Sequence, residues 1–337
     1  MSTTVIAFFN NKGGVGKTSL VYHLAWMFRE LGLSVLATDL DPQANLTSAF
    51  VGDEDFEDLF TESENAGLPV TLYGAVQPLV EGTGDIKPAR LRVVADRLAL
   101  ICGDLLLSTF EDQLAESWPK CLSGDKRAFR VTTAFWRVIQ ESARARQADI
   151  AVVDLGPNLG SINRAALIAS DYVIIPLAPD LFSLQGLRNL GPTLRKWRED
   201  WGKRLNEGQT VGFPLPRGGM RPAGYIVQQH AVRLDRPVQA YARWMEKIPC
   251  EYQQSVLDEP TTSGVSLMND PNCLKTLKNF RSLMPLAQEA HKPMFFLKPA
   301  DGALGSHATA ALDAYRDFKQ LAQEVAKRCS IPLPVQA

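Results

Sequence analysis

Short apolar runs alternate with longer amphipathic stretches along this chain. Thr4-Val5-Ile6-Ala7-Phe8-Phe9 is a continuous apolar run, and Leu20, Leu24, Met27, Phe28 and Leu31 follow at helical spacing until Gly32 closes the stretch. Ser34-Val35-Leu36-Ala37-Thr38 reads as a buried strand. Further strands are expected near Arg90–Val94 and Leu98–Cys102, then at Asp149–Asp154, Tyr172–Pro176 and Ala223–Gln228. Between them the periodicity predicts helices near Leu72–Leu79, Leu105–Ser117, Phe129–Ala145, Ser161–Ala169 and Ser183–Asp200. Leu274, Leu277, Phe280, Leu283 and Met284 space as a helix packed on the sheet until Pro285 interrupts it. A last helix is expected at about 310–329, with Leu312, Tyr315, Phe318, Leu321 and Val325 on one face. This alternation implies an α/β fold, a mainly parallel sheet with helices on both faces. The whole chain, 1–337, reads as one domain with surface inserts at about 51–90 and 201–222, the second rich in Gly, Pro and charge.

The chemistry gathers at the ends of the strands. Lys12-Gly13-Gly14-Val15-Gly16-Lys17-Thr18-Ser19 joins the first strand to the first helix, the setting of a phosphate-binding loop. Its glycines let backbone N–H groups turn inward on an anion, and the helix N-terminus adds partial positive charge. Lys17 is placed to reach β/γ-phosphates and the Thr18 hydroxyl to bind Mg²⁺. Asp39-Leu40-Asp41-Pro42-Gln43-Ala44-Asn45 follows the second strand. Two carboxylates beside a metal and a triphosphate can orient a water, although D-x-D-P-Q also suits a helix-capping turn. The run Ile150-Ala151-Val152-Val153-Asp154 ends in a carboxylate, as metal-bound phosphate sites require, and Gly156-Pro157 begins the loop after it.

K-G-G-V-G-K-T resembles the deviant Walker A motif of the ParA/MinD family of P-loop ATPases, closest to the ParA-like partition and positioning ATPases. The resemblance implies that Lys12 reaches across an ATP-dependent homodimer to the partner's phosphates, with Gly13 packed against the opposite subunit. It implies a switch I at Asp39–Asn45, with Asp41 positioning the attacking water and Asp39 supporting the Mg²⁺ shell. It also implies a Walker B aspartate at Asp154 and a switch II loop from Gly156 and Pro157. Asn158-Leu159-Gly160 and Asn163-Arg164-Ala165 continue in the ParA manner more than the MinD manner. The implied cofactors are ATP and Mg²⁺, and the implied function is slow ATP hydrolysis that controls DNA or adaptor binding during partition or positioning. In relatives the end of the seventh strand lies near adenine, which makes Gln228 and Gln229 candidates; they could equally be polar residues at a strand end. The resemblance covers most of residues 1–198, is loose from 223 to 297 and is absent in 201–222.

Charge adds a second question. The net charge of −1 hides an asymmetry, with 14 basic and 20 acidic side chains in residues 1–150 and 22 against 17 in 151–337. Arg233, Arg236, Lys275 and Lys278 are candidates for sequence-indifferent DNA contact, or are ordinary solvated faces. The partners to expect are a second copy of the chain, non-specific DNA, and a ParB-like or other adaptor protein. An ATP-gated switch on a protein complex without DNA is the competing reading, and a MinD-like membrane switch ranks behind it. The last helix mixes Asp313, Asp317 and Glu324 with Arg316, Lys319 and Lys327, so docking on the sheet is expected rather than lipid binding. No apolar run approaches the ~18 residues of a membrane span. Five cysteines without paired spacing and an N-terminus that enters the first strand at once suggest a reduced, cytoplasmic protein, and the resemblance to ParA implies association with the nucleoid. The cysteine spacing also argues against electron-transfer or metal-transport relatives.

Overall fold

A computed structural model of the chain describes residues 2–52, 67–228, 243–260, 265–278, 280 and 282–334. In chain order the strands and helices are β1 (Thr4–Phe8), α1 (Lys17–Glu30), β2 (Val35–Asp39), α2 (Asn45–Val51), α3 (Leu72–Glu81), β3 (Arg92–Ala95), β4 (Leu98–Ile101), α4 (Glu111–Lys120), α5 (Lys126–Thr132), α6 (Ala134–Arg146) and β5 (Ile150–Asp154). There follow α7 (Ser161–Ile168), β6 (Tyr172–Leu177), α8 (Leu181–Glu207), β7 (Arg221–Gln228), α9 (Ile248–Glu251), β8 (Cys273–Leu277), α10 (Met284–Glu289) and α11 (Ser306–Arg328). The strands form one sheet in the order β3-β4-β2-β5-β1-β6-β7-β8. Only β3 is antiparallel to its neighbour.

Successive side chains of a strand point to opposite faces, and here both faces are apolar. Val5 and Ala7 of β1 join one core with α3 to α8, while Ile6 and Phe8 join the other with α1, α10 and α11. The same alternation in β5 sends Ala151 and Val153 one way and Ile150 and Val152 the other. α11 docks, burying Ala314, Phe318, Leu321, Ala322 and Val325, but Leu312, expected with them, is 61% exposed. Among the described residues no helix is long and apolar enough to cross a membrane.

Four expectations change. Residues 274–284 do not form one helix: Cys273–Leu277 is the edge strand β8, hydrogen-bonded to β7. Leu274 and Leu277 do face the core, but a three-residue spacing in a short run is ambiguous, and pairing with the β7 backbone decided it. Pro285 then occupies the first turn of α10, where a missing N–H costs nothing. The insert expected at 201–222 begins inside α8, which runs on to Glu207. Trp201 continues the buried face of Trp197, donates from Nε1 to the Pro216 carbonyl at 2.9 Å and stacks on Trp118. The expected insert at 51–90 includes α3, whose Leu72, Ala75 and Val76 are core residues; residues 53–66 lie outside the described residues. The predicted helices at 105–117 and 129–145 are each divided. A 3₁₀ stretch, Leu105–Phe110, precedes α4, and Thr133 separates α5 from α6 by donating its hydroxyl to the Phe129 carbonyl at 2.7 Å.

His23 ties α1 to the α10–α11 side of the molecule. Its Nδ1–H donates to the Ser19 carbonyl at 2.6 Å, and its Nε2 accepts from the Met294 amide at 3.1 Å. Both nitrogens are thus satisfied in the neutral ring, and a proton on Nε2 would face an N–H. Burial holds its pKa down at about 4. Because the folded pKa lies below the unfolded value, this contribution is complete above about pH 6.5 and is lost as pH falls towards 4. Urea unfolding at pH 7, 5.5 and 4.5 is expected to show a steeper acid loss for the wild type than for His23→Phe. Identical pH slopes would show that His23 does not titrate as its surroundings demand.

Candidate active site

The loop between β1 and α1 takes its shape from glycine. Gly14 and Gly16 have φ of +72° and +73°, the left-handed region that costs other residues roughly 1–2 kcal/mol. Gly16 is also crowded: a Cβ there would lie 2.5 Å from the Gln228 side-chain oxygen, while a Cβ on Gly14 would meet nothing. Gln228, at the C-terminal end of β7, donates from Nε2 to the Gly16 carbonyl at 3.2 Å. The sequence candidate Gln228 therefore sits on the loop itself, while Gln229, Arg233 and Arg236 lie outside the described residues. Val15 is buried, and Thr18 and Ser19 open the first turn of α1.

Four charged side chains are buried together behind the loop. Asp39 and Asp154 are register partners on the adjacent strands β2 and β5, and both are fully buried. Lys17 is buried as well and donates to the Lys12 carbonyl at 3.2 Å. Burial lowers the Lys17 pKa, while Asp154 and Asp41 work to raise it. Burial raises Asp154, and Asp39 beside it raises it further, while Thr18 and Lys17 oppose both. Asp39 is raised by the same desolvation.

The two register partners are used differently. Asp39 Oδ2 accepts from the Thr47 amide and hydroxyl at 2.8 and 2.7 Å, and Oδ1 accepts from the Asp41 amide at 3.2 Å. These bonds tie Asp39 to Asp41 and to the start of α2. Neither oxygen of Asp154 has a hydrogen-bond partner of normal geometry. Two orphaned buried carboxylate oxygens beside the Thr18 hydroxyl suit a hydrated divalent cation. Asp41 is nearly buried, and its Oδ1 accepts from the Gln43 amide at 3.0 Å. Pro42 and Gln43 lead into α2, where Asn45 Nδ2 donates to Gln43 Oε1 at 3.0 Å. Gly156 and Pro157 approach from the loop after β5. Pro157 lies 4.0 Å from where a Gly13 Cβ would be, and a Gly156 Cβ would be 3.1 Å from Asp41.

Lys12 stands at the loop's outer end. It is ion-paired to Asp180, the N-cap of α8, and lies 5.8 Å from the Phe182 ring. Burial would raise the Asp180 pKa, but Lys12 and Ser183 donate to it and hold it low. No sequence signal marks Asp180 as a partner of Lys12, because the two are 168 positions apart. A cleft of about 810 Å³ opens beside Ser19, lined by Tyr22, Asn45, Met284 and Gln288 among others. The share of Met284 and Gln288 in it was invisible in sequence because α10 was expected to be a different element, whereas Ser19 and Asn45 belong to the motifs read there. Lys275 and Lys278 are remote from the loop's chemistry and pair with α11. Lys275 meets Asp317 at 3.1 Å and Gln320 at 2.5 Å, and Lys278 meets Asp313 at 3.5 Å.

The loop has the form of a phosphate-binding loop, and a buried carboxylate lies on the neighbouring strand. The AAA domain family matches residues 3–207, more than half of the chain. The chain belongs to this family and, by its deviant loop, to the ParA/MinD group of P-loop ATPases. It is 33% identical over 201 residues to protein IncC of Escherichia coli, covering 59% of this chain and 47% of IncC. It is 30% identical over 203 residues to the chromosome-partitioning ATPase Soj of Thermus thermophilus, covering 59% of this chain and 65% of Soj. The fold matches the ATP complex of McdA from Cyanothece with a TM-score of 0.61 at 15% identity, over 99% of both chains. The chain thus spans 47% and 65% of the length of these two curated relatives.

The two glycines separate backbone strain from crowding. Gly14→Ala is expected to cost about 1 kcal/mol, the backbone term alone. Gly16→Ala should cost more, since it must also displace Gln228. Urea unfolding of both variants checks this, and equal losses would mean that Gln228 yields freely.

Proposed function

We propose that this protein is an ATP-driven switch of the ParA type, which binds Mg·ATP, dimerises around two nucleotides and hydrolyses slowly. The observation that carries the reading is the pair of lysines on one loop, one buried and one at the rim. Lys17 faces Asp154 and Asp41, in the place of a β/γ-phosphate ligand. Lys12 lies outside that cluster and can leave Asp180 for a phosphate held by another subunit.

The surroundings of Lys12 support a second copy of the chain. Leu181 and Phe182 are 51% and 70% exposed, and Leu105, Leu106 and Leu159 are exposed at the ends of β4 and β5. All follow the C-terminal ends of strands, on the edge of the sheet that carries the loop. Apolar side chains in such positions are suited to an interface. A Mg²⁺ held by Thr18 and, through water, by Asp154 would supply positive charge to the phosphate oxygens. Lys17 and the loop amides hold the phosphates, Ser19 begins the path towards the cleft, and that cleft is large enough for a nucleoside. Asp41 accepts a hydrogen bond from water and aims it at the terminal phosphate.

The nucleotide state then sets affinity for partners. Soj is named a chromosome-partitioning ATPase, which favours DNA and a ParB-like or other adaptor protein as those partners. One observation favours the competing reading, a switch on a protein complex without DNA: Lys275 and Lys278 are neutralised by Asp317 and Asp313 rather than free to meet phosphates.

Lys17→Ala is expected to abolish ATP binding, whereas Lys12→Ala keeps most of the binding and loses ATP-dependent dimerisation and turnover. Equilibrium nucleotide titration and sedimentation decide this. A Lys12→Ala protein that dimerises and hydrolyses normally removes the trans lysine.

Asp41→Ala should bind ATP and accumulate as the dimer, because the phosphate cradle is intact while the water loses its acceptor. If this dimer binds DNA, mobility shifts should require ATP, ignore sequence and weaken steeply with salt. An ATP-loaded dimer that shifts no DNA at low salt assigns the switch to a protein complex instead.

A further inference from the structure

The loop after β5 is gripped from below by residues that no phosphate chemistry explains. Asn163 of α7 is 1% exposed and donates from Nδ2 to the Gly156 carbonyl at 2.8 Å and the Asn158 carbonyl at 2.6 Å. The same nitrogen lies 3.1 Å from Asn158 Oδ1, which itself accepts from the Gly160 amide at 2.9 Å. One side chain thus fixes two successive turns of the loop. The start of α7 is fixed in turn. Glu111 of α4 accepts from the Ser161 amide at 2.5 Å and the Ile162 amide at 2.9 Å, so a carboxylate from another helix caps the N-terminus of α7.

The geometry continues upward to the reacting side. Gly156 packs so closely on Asp41 that a Cβ there would come within 3.1 Å of Oδ1. Gly156 thus lies beside the Asp41 carboxylate, and the bond from Asn163 helps set where Gly156 sits. We propose that Asn163 is a positioning residue for ATP hydrolysis: by holding Gly156 it holds Asp41 at the place where the water is aimed, with Glu111 anchoring the helix that carries it. This rests on the reading of Asp41 as the water-positioning carboxylate. A displacement near 1 Å at a reacting group can cost on the order of 100-fold in rate. The phosphate cradle belongs to β1 and α1 and does not depend on Asn163, so binding should be spared.

The test is steady-state ATPase kinetics of the full chain, with fluorescent ATP-analogue titration and urea unfolding as controls. Asn163→Ala is expected to lower kcat by about 10- to 100-fold while KM and nucleotide affinity stay within about threefold. A residue that serves only stability would shift the unfolding midpoint and leave kcat of the folded fraction unchanged. Because Asn163 acts through Asp41, adding Asn163→Ala to Asp41→Ala should slow the reaction no further. Glu111→Gln removes one of the two acceptor oxygens at a part-exposed position, and should lower kcat about two- to fivefold with KM preserved. It carries the test if Asn163→Ala does not fold. Wild-type kcat in folded Asn163→Ala, or in Glu111→Gln where the former does not fold, overturns the proposal. So does a full multiplicative loss in the double variant. If Asp41→Ala itself hydrolyses at the normal rate, the reading of Asp41 has failed; a slow Asp41→Ala beside a normal Asn163→Ala means that only the clamp has failed.

Discussion

Two carboxylates share a buried register on neighbouring parallel strands, and the site is arranged around the cost of keeping them there. Asp39 and Asp154 are both removed from solvent; Asp39 makes the charge of Asp154 less favourable, and Asp41 does the same to Asp39. The chain resolves this by division. Asp39 is compensated by Thr47 and by the amide of Asp41. Asp154 is left with the nearby charge of Lys17 and the Thr18 hydroxyl, and with no backbone amide bonded to its oxygens. A site with one compensated and one orphaned carboxylate is prepared for a cation and a polyanion together. Each would relieve the imbalance that the other leaves.

The parallel sheet is what permits this. Strands running the same way bring the loops after β1, β2, β5, β6 and β7 to one edge. There Gln228 meets Gly16, Gly156 meets Asp41, and Asp180 meets Lys12. None of these contacts is local in sequence. The rim lysine is held by an N-cap aspartate at one end of α8, whose other end is anchored by Trp201 and Arg204 in the core on the far side from the loop. Movement of Lys12 towards a partner subunit would therefore exchange one ion pair for another, while α8 stays in place.

Much was legible because it depends on short-range physics. The loop from Lys12 to Ser19 needs glycine at positive φ and a helix immediately after it, and both are written in eight consecutive residues. The strands β1, β2, β5 and β6 are continuous apolar runs ended by polar residues, so their type and even the carboxylates at their ends could be read directly. The docked face of α11 was legible for the same reason, from spacing and from mixed charge on its other side.

What tertiary structure alone decided lies where local preference is weak or where partners are far apart. Leu274 and Leu277 are spaced as on a helix, and only pairing with the open edge of β7, with a register shift beside Leu274, made the segment a strand. Trp201 sits in a polar, glycine-rich neighbourhood, yet Trp118, distant in sequence, offers a surface on which to bury it. Asp39 and Asp154 look alike in sequence, each an aspartate closing an apolar strand. Their different roles follow from Thr47, which reaches only one of them. The sequence by itself determined which groups carry charge and where the backbone can turn. Which of those charges are satisfied depends on distance through space, and that is decided only when the sheet brings its loops to one edge.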